Sequence, residues 1–275
     1  MRFNLRELAV LTRLVPAVLL DLVYPRDCCG CGATLPVGDE SDFCPTCCTS
    51  IRILREPVCH VCGGPALTSS GAPCGGCARR PPWFRRARSW AYYSTDSEEK
   101  NPVARALWAL KYHGRVDIGR RLGRALARRC PFDPGEHDCI IPVPLHPARL
   151  RRRGFNQAWI LAVPVASRLR VPIAGTLLRR LRPTLSQVTL PERDRRRNVR
   201  GAFTAVARTP LNGLRVLLVD DVFTTGATLA ECARALRAAN AETVDALTLA
   251  RVAPPRRPIS RPLRAWSRTP FAGAS

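Results

Sequence analysis

The sequence predicts an α/β protein in which helices flank a mostly parallel sheet, with a small cysteine-rich module at the N-terminal end. One observation is an uninterrupted aliphatic run, Val216–Val219, which is typical of a strand buried on both faces, as in a parallel sheet. Another is that ten of the thirteen cysteines lie between residues 28 and 77. With 275 residues, the chain can hold one good-sized domain and one small one. We therefore divide it into a module at 25–80 and a domain at 86–252.

Charge is the strongest signal in the composition. The chain carries 44 basic residues against 21 acidic ones, a formal net charge of +23, and an apolar share of 46% that supports a core. Such a basic excess favours polyanionic partners: phosphorylated substrates, nucleic acid or an acidic surface. Only Lys100 and Lys111 are lysines, and so complete a preference for arginine indicates a bias towards GC-rich codons. Part of the charge is then incidental, and charge alone does not establish nucleic-acid binding.

Residues 1–24 raise the question of a membrane or export segment. Arg13 and Asp21 interrupt the apolar stretch, whereas a spanning helix needs about 20 predominantly apolar residues. No small-residue cleavage site follows the stretch. We predict an amphipathic helix over Leu5–Val23, no transmembrane segment and a cytoplasmic protein, with binding to a membrane surface as the alternative.

The cysteine-rich module has the spacing of zinc sites. Its cysteines form four Cys-x-x-Cys pairs, with twelve residues between the first two pairs and eleven between the last two. Each pair wraps a tight turn, and two pairs supply the four thiolates of a tetrahedral zinc ion. Disulfides are disfavoured because there is no export signal and the number of cysteines is odd. The predicted ligands are Cys28, Cys31, Cys44, Cys47, Cys59, Cys62, Cys74 and Cys77.

Zinc in this module is predicted to be structural, because a segment with so few large apolar residues does not fold without metal. Sequential pairing gives two zinc sites, but interleaved pairing and a single zinc ion stay open. Cys29 and Cys48 lie beside predicted ligands and could replace them. The module is either purely structural or a contact surface for nucleic acid or protein.

The segment after the module, residues 79–88, mixes arginines with Trp83 and Phe84. Basic and aromatic side chains together can bind single-stranded nucleic acid through phosphate and stacking contacts. The alternative is a solvated linker whose two aromatic residues pack against the body of the protein.

The elements of the domain follow from the pattern of apolar residues. Besides the strand at Val216–Val219, the predicted strands are Ser89–Tyr93, Asp138–Val143, Pro172–Leu178 and Thr243–Val252. The predicted helices are Val103–Leu110, Ile118–Arg129, Phe155–Leu169 and Leu229–Ala239. Residues 253–275 are rich in Pro, Arg and Ser and are predicted to be disordered.

Two basic segments interrupt these elements. The loop after the second strand contains Arg149, Arg153 and Gly154, and it is predicted to form an anion site at the same edge of the sheet as Val216–Val219. His146 in that loop is either a base or a residue that shapes the loop. The second segment, Arg179–Arg200, is either a solvated charged face or a lid that covers a reactive intermediate and excludes water.

The carboxyl end of the Val216–Val219 strand carries the clearest chemistry. Asp220 and Asp221 are acceptors suited to the neighbouring hydroxyls of a sugar, provided that the strand has ended, because adjacent strand residues face opposite ways. Residues Thr224–Thr228 supply hydroxyls, a glycine and the amides of a helix start, which suit a phosphate. Together they imply a ribose 5-phosphate. The metal-binding strand of a nucleotide triphosphatase is excluded, since the chain lacks a glycine-rich loop ending in Gly-Lys-Ser/Thr.

Residues Val216–Thr228 resemble the phosphoribosyl pyrophosphate (PRPP) motif of type I phosphoribosyltransferases. The resemblance implies that Asp220 and Asp221 hold the ribose 2- and 3-hydroxyls. It assigns the 5-phosphate to Thr224, Thr225, Gly226, Ala227 and Thr228. The fold that it implies is the type I phosphoribosyltransferase fold.

To about residue 252 the whole chain resembles the ComF family, in which a zinc module precedes a type I phosphoribosyltransferase domain. Besides the PRPP motif, the resemblance rests on Lys111–Gly114, Val143–Pro147, Arg153–Gln157 and Gly201–Phe203, with Arg149, Thr184, Gln187, Leu190, Arg195 and Asn198. The pyrophosphate-binding residues that it implies are Lys111, Arg149, Arg153 and Gly154. The mobile-lid residues that it implies are Thr184, Gln187, Arg195 and Asn198.

The resemblance implies a protein that binds magnesium-PRPP and transfers the phosphoribosyl group to an unidentified acceptor, with release of pyrophosphate. The alternative that the family implies is a single-stranded DNA-handling protein of DNA uptake, which uses the fold as a binding scaffold. The expected partners are PRPP, and for the alternative single-stranded DNA and a competence or helicase protein. The expected metals are structural zinc and the magnesium that accompanies PRPP. Retention of both Asp220 and Asp221 favours PRPP binding.

Overall fold

The structure is a computed structural model that describes residues 25–66, 72–93, 101–184, 192–206 and 211–252. The helix predicted at Leu5–Val23, the tail 253–275 and the predicted lid residue Gln187 lie outside these residues. Within the described ranges, no helix is long and apolar enough to cross a membrane.

Parallel pairing dominates the domain. The strands are β1 (Ala87–Tyr93), β2 (Cys139–Pro142), β3 (Leu178–Arg180), β4 (Phe203–Ala205), β5 (Arg215–Phe223) and β6 (Thr243–Val252). The helices are α1 (Pro45–Ser50), α2 (Gly75–Arg79), α3 (Pro102–His113), α4 (Val116–Arg128), α5 (Pro147–Arg153), α6 (Gln157–Leu169), α7 (Glu192–Val199) and α8 (Ala227–Ala238). Strands β1, β6, β5 and β2 form a parallel sheet in that order, and β3 pairs antiparallel with β4. The predicted α/β class with a mostly parallel sheet is confirmed.

Strand β5 lies inside the parallel sheet and is buried on both faces, as its aliphatic run predicts. Leu217 and Val219 pack into the core on the side of α4 and α6. Val216 and Leu218 pack into the core on the side of α8. The two faces alternate because successive side chains of a strand point to opposite sides. The sheet is therefore the middle layer of three, with its carboxyl edge left open for a site.

The prediction that β5 ends before its acids is wrong. Asp220 and Asp221 belong to β5, which continues to Phe223 because β6 runs beside it: Asp220 pairs with Thr248 and Phe223 with Arg251. On the other side β2 stops earlier, with its last pair at Val219. The acids therefore lie on a stretch of strand that has a neighbour on one side only.

The strand predicted at Pro172–Leu178 is also wrong. Only Ile173 makes a strand-like bridge, to Ile140, before a 3₁₀ turn at Gly175–Leu177. The turn packs against α6, where a Cβ atom at Gly175 would lie 2.4 Å from the Trp159 ring. The chain then leaves the parallel sheet and forms β3.

Both basic segments contain helices where loops are predicted. The segment with Arg149 and Arg153 forms α5, which ends at Gly154 with a φ of 83°. His146 caps α5 through Nδ1, which accepts from the Ala148 amide at 3.3 Å, so it shapes this segment. The charge run that leads to Arg200 forms α7, which packs against α8.

The cysteine-rich module packs against the outer side of the sheet through β1. The Leu54 amide donates to the Trp90 carbonyl at 3.0 Å, and the Ala87 amide donates to the Val61 carbonyl at 2.6 Å. The side chain of Phe84, in the segment after the module, is also buried, so this segment packs against the domain.

A buried arginine fastens the first half of the module to α4. Arg121 donates through Nε to Asp42 at 3.2 Å and through Nη1 to the Asp27 carbonyl at 2.6 Å. Nearby, the rings of Phe43 and Trp90 lie 6.3 Å apart. The module and the domain therefore share one hydrophobic core.

Candidate functional site

The paired acids at the end of β5 are nearly buried. Asp220 is 9% exposed and Asp221 7% exposed, and Asp220 Oδ1 accepts from the Asp221 amide at 2.8 Å. The ammonium of Lys111 pairs with Asp221. Lys111 reaches it from the last turn of α3, which ends at Gly114 with a φ of 66°.

The two acids differ in their electrostatic state. Burial raises the pKa of Asp220 well above its usual range, and the charge of Asp221 raises it further. Burial acts in the same direction on Asp221, but the nearby Lys111 ammonium holds the pKa of that carboxyl below its usual range. The site thus contains one firmly charged carboxylate and one that holds its proton more readily, and because they are adjacent residues of β5 their side chains leave the strand on opposite faces.

The loop after β5 has the properties of a phosphate site. Gly226 is the N-cap of α8 with a φ of 75°, and among the described residues no side-chain cap hydrogen bond is made there; a helix start of this kind suits an anion. The hydroxyl of Thr225 is buried and has no hydrogen-bond partner among the residues that the structure describes. A Cβ atom at Gly226 would lie 2.6 Å from the Phe223 ring, so glycine is required for the close turn as well as for its φ.

Two of the predicted pyrophosphate residues, Lys111 and Arg153, lie near Asp221. Arg153 is half-buried: burial lowers its pKa, and Asp221 is the main charge that opposes this. Its Nη1 donates to Gln157 at 2.6 Å, and its guanidinium lies 5.8 Å from the ring centre of Tyr112. The structure therefore brings Lys111, Arg153 and Asp221 into one cluster. Their assignment to pyrophosphate stays a prediction.

The predicted lid residues fall on two segments. Thr184 accepts through its carbonyl from Arg149 Nη2 at 3.2 Å, which connects the lid segment to α5. Arg195 and Asn198 lie on α7. The structure thus connects the described end of the lid segment to a predicted pyrophosphate residue.

Sequence reasoning missed Arg180, which lies at the end of β3. Its guanidinium stacks on Phe203 at 5.2 Å and contacts the Thr184 hydroxyl. Burial lowers the pKa of Arg180, and the charges of Arg149 and Asp220 also act on it. Nothing in the sequence distinguishes Arg180 from the arginines around it, so only the fold reveals its place beside the acids.

Sequence reasoning also missed Arg251, at the end of β6. Its side chain is buried, stacks on the Phe223 ring at 4.5 Å and donates to the Cys62 carbonyl at 2.7 Å. Arg251 therefore joins the second half of the cysteine-rich module to the strand that leads into the phosphate loop.

The eight predicted metal ligands form two groups of four. One consists of Cys28, Cys31, Cys44 and Cys47, the other of Cys59, Cys62, Cys74 and Cys77, and in each the sulfur atoms lie within 4.8 Å of one another. The Cys31 and Cys44 sulfurs are 3.7 Å apart and those of Cys62 and Cys74 are 3.8 Å apart. A tetrahedral zinc ion with Zn–S bonds of about 2.3 Å places its ligands about 3.8 Å apart. The geometry therefore fits zinc, and the pairing is sequential.

Backbone amides stabilise the thiolate form of one cysteine in each group. The Cys44 amide donates to Cys28 at 3.2 Å, and the Cys74 amide donates to Cys59 at 3.1 Å. Although burial acts against it, such amide donors lower the pKa of Cys28 to about 7 and that of Cys59 to about 6. These are metal-ligand environments, since the thiolate is the form that binds zinc.

The spare cysteines Cys29 and Cys48 belong to neither group of four. Burial raises the pKa of Cys29 to about 12, so this residue packs in the core as a thiol. Cys48 is exposed. Substitution of either for a predicted ligand is not observed.

Two family models match separate parts of the chain. A model of the double zinc ribbon domain matches residues 19–78, and a model of the phosphoribosyl transferase domain matches residues 156–264. The first contains all eight cysteine ligands, and the second contains the acid pair and the phosphate loop. Zinc ribbons and a phosphoribosyltransferase-type domain are thus both present.

Characterised relatives match most of the chain. The DNA utilization protein YhgH of Salmonella typhi is 36% identical over 215 residues, which cover 76% of this chain and 90% of the relative. Competence protein F of Haemophilus influenzae is 31% identical over 230 residues, covering 82% and 96%. Competence protein ComFC of Bacillus subtilis is 26% identical over 221 residues, covering 77% and 85%.

Solved structures match the domain only distantly. Glutamine PRPP amidotransferase from B. subtilis is 22% identical over 51% of this chain and 30% of that chain, with a TM-score of 0.35. At that score the likeness carries no functional conclusion. The family models show a double zinc ribbon followed by a phosphoribosyl transferase domain, the relatives match most of the chain, and the chain belongs to the ComF family.

Proposed function

We propose that the protein binds magnesium-PRPP at the carboxyl edge of β5 and transfers its phosphoribosyl group to an acceptor, with release of pyrophosphate. The observation that carries this proposal is a buried acid pair followed directly by an uncapped helix start. A sugar diol and a phosphate held at the positions of a ribose 5-phosphate satisfy both at once.

Each end of the sugar has its own partners. Asp220 and Asp221 accept hydrogen bonds from the ribose 2- and 3-hydroxyls. The 5-phosphate accepts from the first amides of α8 and from the hydroxyls of Thr224–Thr228, including the buried Thr225 hydroxyl. This arrangement fixes the ring while leaving its anomeric carbon open to reaction.

The reaction is a displacement at the anomeric carbon. The bond from that carbon to pyrophosphate breaks, pyrophosphate leaves with the electron pair, a nitrogen or oxygen of the acceptor forms the new bond, and the proton that the acceptor loses passes to the departing pyrophosphate or to solvent. In this proposal Lys111, Arg149 and Arg153 are the cations that bind the leaving pyrophosphate. Magnesium bound with PRPP supplies further neutralisation of the phosphate oxygens. Catalysis then consists of positioning and charge stabilisation, and we assign no general base.

Pyrophosphate release tests the transfer. We expect the wild-type protein with magnesium-PRPP to release pyrophosphate in the presence of at least one member of a panel of purine and pyrimidine bases. The double variant Asp220→Ala/Asp221→Ala should lose this release, whereas Asp117→Ala, in an exposed ion pair on α4, should retain it. Release by the double variant at the wild-type rate would refute the assignment of the acids.

A second candidate function is the handling of single-stranded DNA. It is favoured by the names of the relatives, a DNA utilization protein and a competence protein, and by the net charge of +23. Under this alternative the phosphoribosyltransferase fold serves as a binding scaffold, and a competence or helicase protein is the expected partner. Steeply salt-dependent binding of an oligonucleotide is its expected signature.

A further inference from the structure

A cleft of about 800 Å³ opens between the phosphate loop and the second zinc ribbon. One wall consists of Phe223–Ala227, which includes most of the phosphate loop. The opposite side consists of Cys62, Cys74 and Cys77 of the second zinc group and of the segment Arg80–Phe84. The volume is that of a site for a sizeable ligand, and no part of the proposed reaction uses it.

The cleft extends away from the phosphate loop along α8. Ala227, Ala230 and Arg234 of that helix all line it, and they lie on one helix face because they are three or four residues apart. The seven residue-to-residue steps from Ala227 to Arg234 correspond to about 10 Å of helix. The space is therefore a channel that starts at the phosphate loop and leads past α7.

Six arginines line this channel against a single acid, Glu231, among the described residues. They are Arg80, Arg196, Arg197, Arg200, Arg234 and Arg251. Glu231 pairs with Arg234, and Arg251 is held by the Cys62 carbonyl. In the described part of the chain, no ion pair neutralises the other four, and all four are exposed. Four uncompensated guanidinium groups around one channel favour an anion with several charges.

An aromatic surface accompanies these arginines. Trp83 lines the channel and is 59% exposed, whereas Phe84 beside it is buried. Basic groups that follow a backbone, together with an exposed ring on which a base can stack, are the features of single-strand binding grooves.

The position of the channel limits what its ligand can be. Among its described lining residues are four of the phosphate loop but neither Asp220 nor Asp221, and none of Lys111, Arg149 and Arg153. A ligand there lies beyond the 5-phosphate, away from the anomeric carbon and from the leaving pyrophosphate. It cannot be the acceptor, which must reach the anomeric carbon. In a polynucleotide, the group attached beyond a 5′-phosphate is the preceding nucleotide.

We propose that the channel binds a single-stranded polynucleotide by its 3′ end. The terminal sugar lies on the acid pair with its 3′-hydroxyl towards Asp220 and Asp221, its 5′-phosphodiester lies on the Thr224–Ala227 loop, and the preceding nucleotides follow the arginines past Trp83. This polarity rests on the proposed PRPP site, since the same residues hold the sugar and the phosphate. The strand and PRPP therefore exclude each other.

The first test is the binding of a 5′-labelled oligothymidylate, measured by fluorescence anisotropy as a function of salt. Arg196→Gln/Arg197→Gln should weaken binding about tenfold or more. It should also make the slope of log affinity against log salt shallower by roughly 1.4, since two phosphate contacts are lost. The matched control is Arg120→Gln/Arg124→Gln, which removes the same charge from exposed positions of α4. Equal losses of affinity in both variants would show that the strand does not bind in the channel.

The second test concerns polarity. An oligonucleotide with a 3′-hydroxyl should bind more tightly than the same strand with a 3′-phosphate, because the acid pair repels the added charge. Magnesium-PRPP should displace the strand with the 3′-hydroxyl. If the strand binds equally well with either 3′ end and PRPP does not displace it, the proposed binding of the 3′-terminal sugar at the acid pair is wrong.

Calorimetry with magnesium-PRPP separates this proposal from the proposed enzyme function. We expect Arg80→Gln to bind PRPP as the wild type does, because Arg80 lines the channel but lies outside the segment Arg179–Arg200. If the wild type binds no PRPP while the oligonucleotide still depends on Arg196, Arg197 and the 3′-hydroxyl, the proposed function fails and the channel stands. If PRPP binds and the affinity for the strand does not change when both arginines are replaced, the proposed strand binding in the channel is wrong and the PRPP site stands.

Discussion

Two adjacent buried carboxylates are unfavourable for a folded chain, because burial disfavours the charged form of each and their charges repel. Among the described residues at the end of β5, Asp221 is the acid with an ion-pair partner, Lys111. Asp220 has a raised pKa instead. Binding of a ligand whose hydroxyls donate to these acids, as in the proposed PRPP site, would offset this cost.

This cost predicts that function and stability oppose each other at Asp220. Asp220→Asn should raise the free energy of unfolding at pH 7 by roughly 0.5–2 kcal/mol, the usual size of a single stabilising change. The amide keeps an acceptor for the Asp221 amide and loses the buried charge. The same variant should bind magnesium-PRPP more weakly. Urea denaturation and calorimetry measure the two effects.

The sign of the pH dependence follows from the raised pKa of Asp220. Above that pKa folding holds a carboxylate that burial disfavours, so the wild type is less stable than Asp220→Asn. As the pH falls through the raised pKa, the acid takes up a proton and the difference shrinks. A difference that grows on acidification would show that Asp220 is stabilised as an anion.

At the residue scale, the sequence indicates the groups whose neighbours along the chain identify them. Asp220, Asp221 and the threonine-glycine loop stand in one motif, so their chemistry can be predicted before the fold is known. Arg180 and Arg251 cannot be predicted in this way, because arginine is common in this chain and their partners are distant in sequence.

At the scale of elements, the end of β5 depends on the unequal length of its neighbours. β6 extends along the acids while β2 stops at Pro142. The bounds of β6, Thr243–Val252, can be predicted from its apolar pattern. The continuation of β5 through Asp220 and Asp221 cannot be predicted in this way, because it depends on pairing with β6, which comes later in the chain. The turn within Pro172–Leu178 cannot be predicted from the sequence either, because it depends on contact with α6.

The phosphate loop gives a prediction at this scale. Gly226→Ala should destabilise the protein by about 1 kcal/mol or more and weaken PRPP binding, because a Cβ atom both strains the φ of 75° and meets the Phe223 ring. The control is Gly213→Ala, with a φ of 73° and open space around the Cβ position. Similar PRPP affinities in the two variants, measured by calorimetry, would argue against a close-fitting loop.

A buried ion pair at the amino edge of the sheet gives another prediction at the scale of elements. Asp245 is fully buried and accepts from Arg85 at 2.6 Å and from Arg86 at 3.1 Å, with His137 at 3.0 Å. Asp245→Asn should lower the free energy of unfolding by roughly 3–5 kcal/mol, the range for breaking a buried ion pair. Asp117→Asn, in an exposed pair, should cost less than about 1 kcal/mol.

The pKa of Asp245 adds a pH signature to this prediction. Although burial opposes it, the bonds from His137, Arg85 and Arg86 hold that pKa well below its usual range. The stability that Asp245 contributes is therefore present above the pKa of an unfolded aspartate and is lost as the pH falls towards the folded value. Urea denaturation at neutral and acidic pH should show the deficit of Asp245→Asn shrinking on acidification.

At the scale of the whole molecule, the zinc ribbons and the sheet are parts of one structure. Cys28 and Cys47 belong to the same core as Trp90 and Leu107, and Arg251 joins the second ribbon to Phe223. The sequence predicts both parts but not their joining, since sheet order and docking depend on contacts between distant segments.

Zinc content tests this integration. Elemental analysis of protein purified under reducing conditions without chelator should find about two zinc ions per chain, one for each group of four thiolates. Cys59→Ser should lower the content to about one and lower the melting temperature of the entire domain. Cys48→Ser, an exposed cysteine outside both groups, should change neither. Unchanged melting in Cys59→Ser despite zinc loss would show that the ribbon is an independent unit.

Binding of magnesium-PRPP at the carboxyl edge of β5 is measured most directly by isothermal titration calorimetry. The proteins to compare are the wild type, Asp220→Ala/Asp221→Ala and the control Asp117→Ala. We expect equal affinity in the wild type and the control, and affinity at least about tenfold lower in the double variant, since each lost hydrogen bond costs roughly 0.5–1.5 kcal/mol. Equal affinity in all three proteins, or no binding by the wild type, would contradict a PRPP site at these acids.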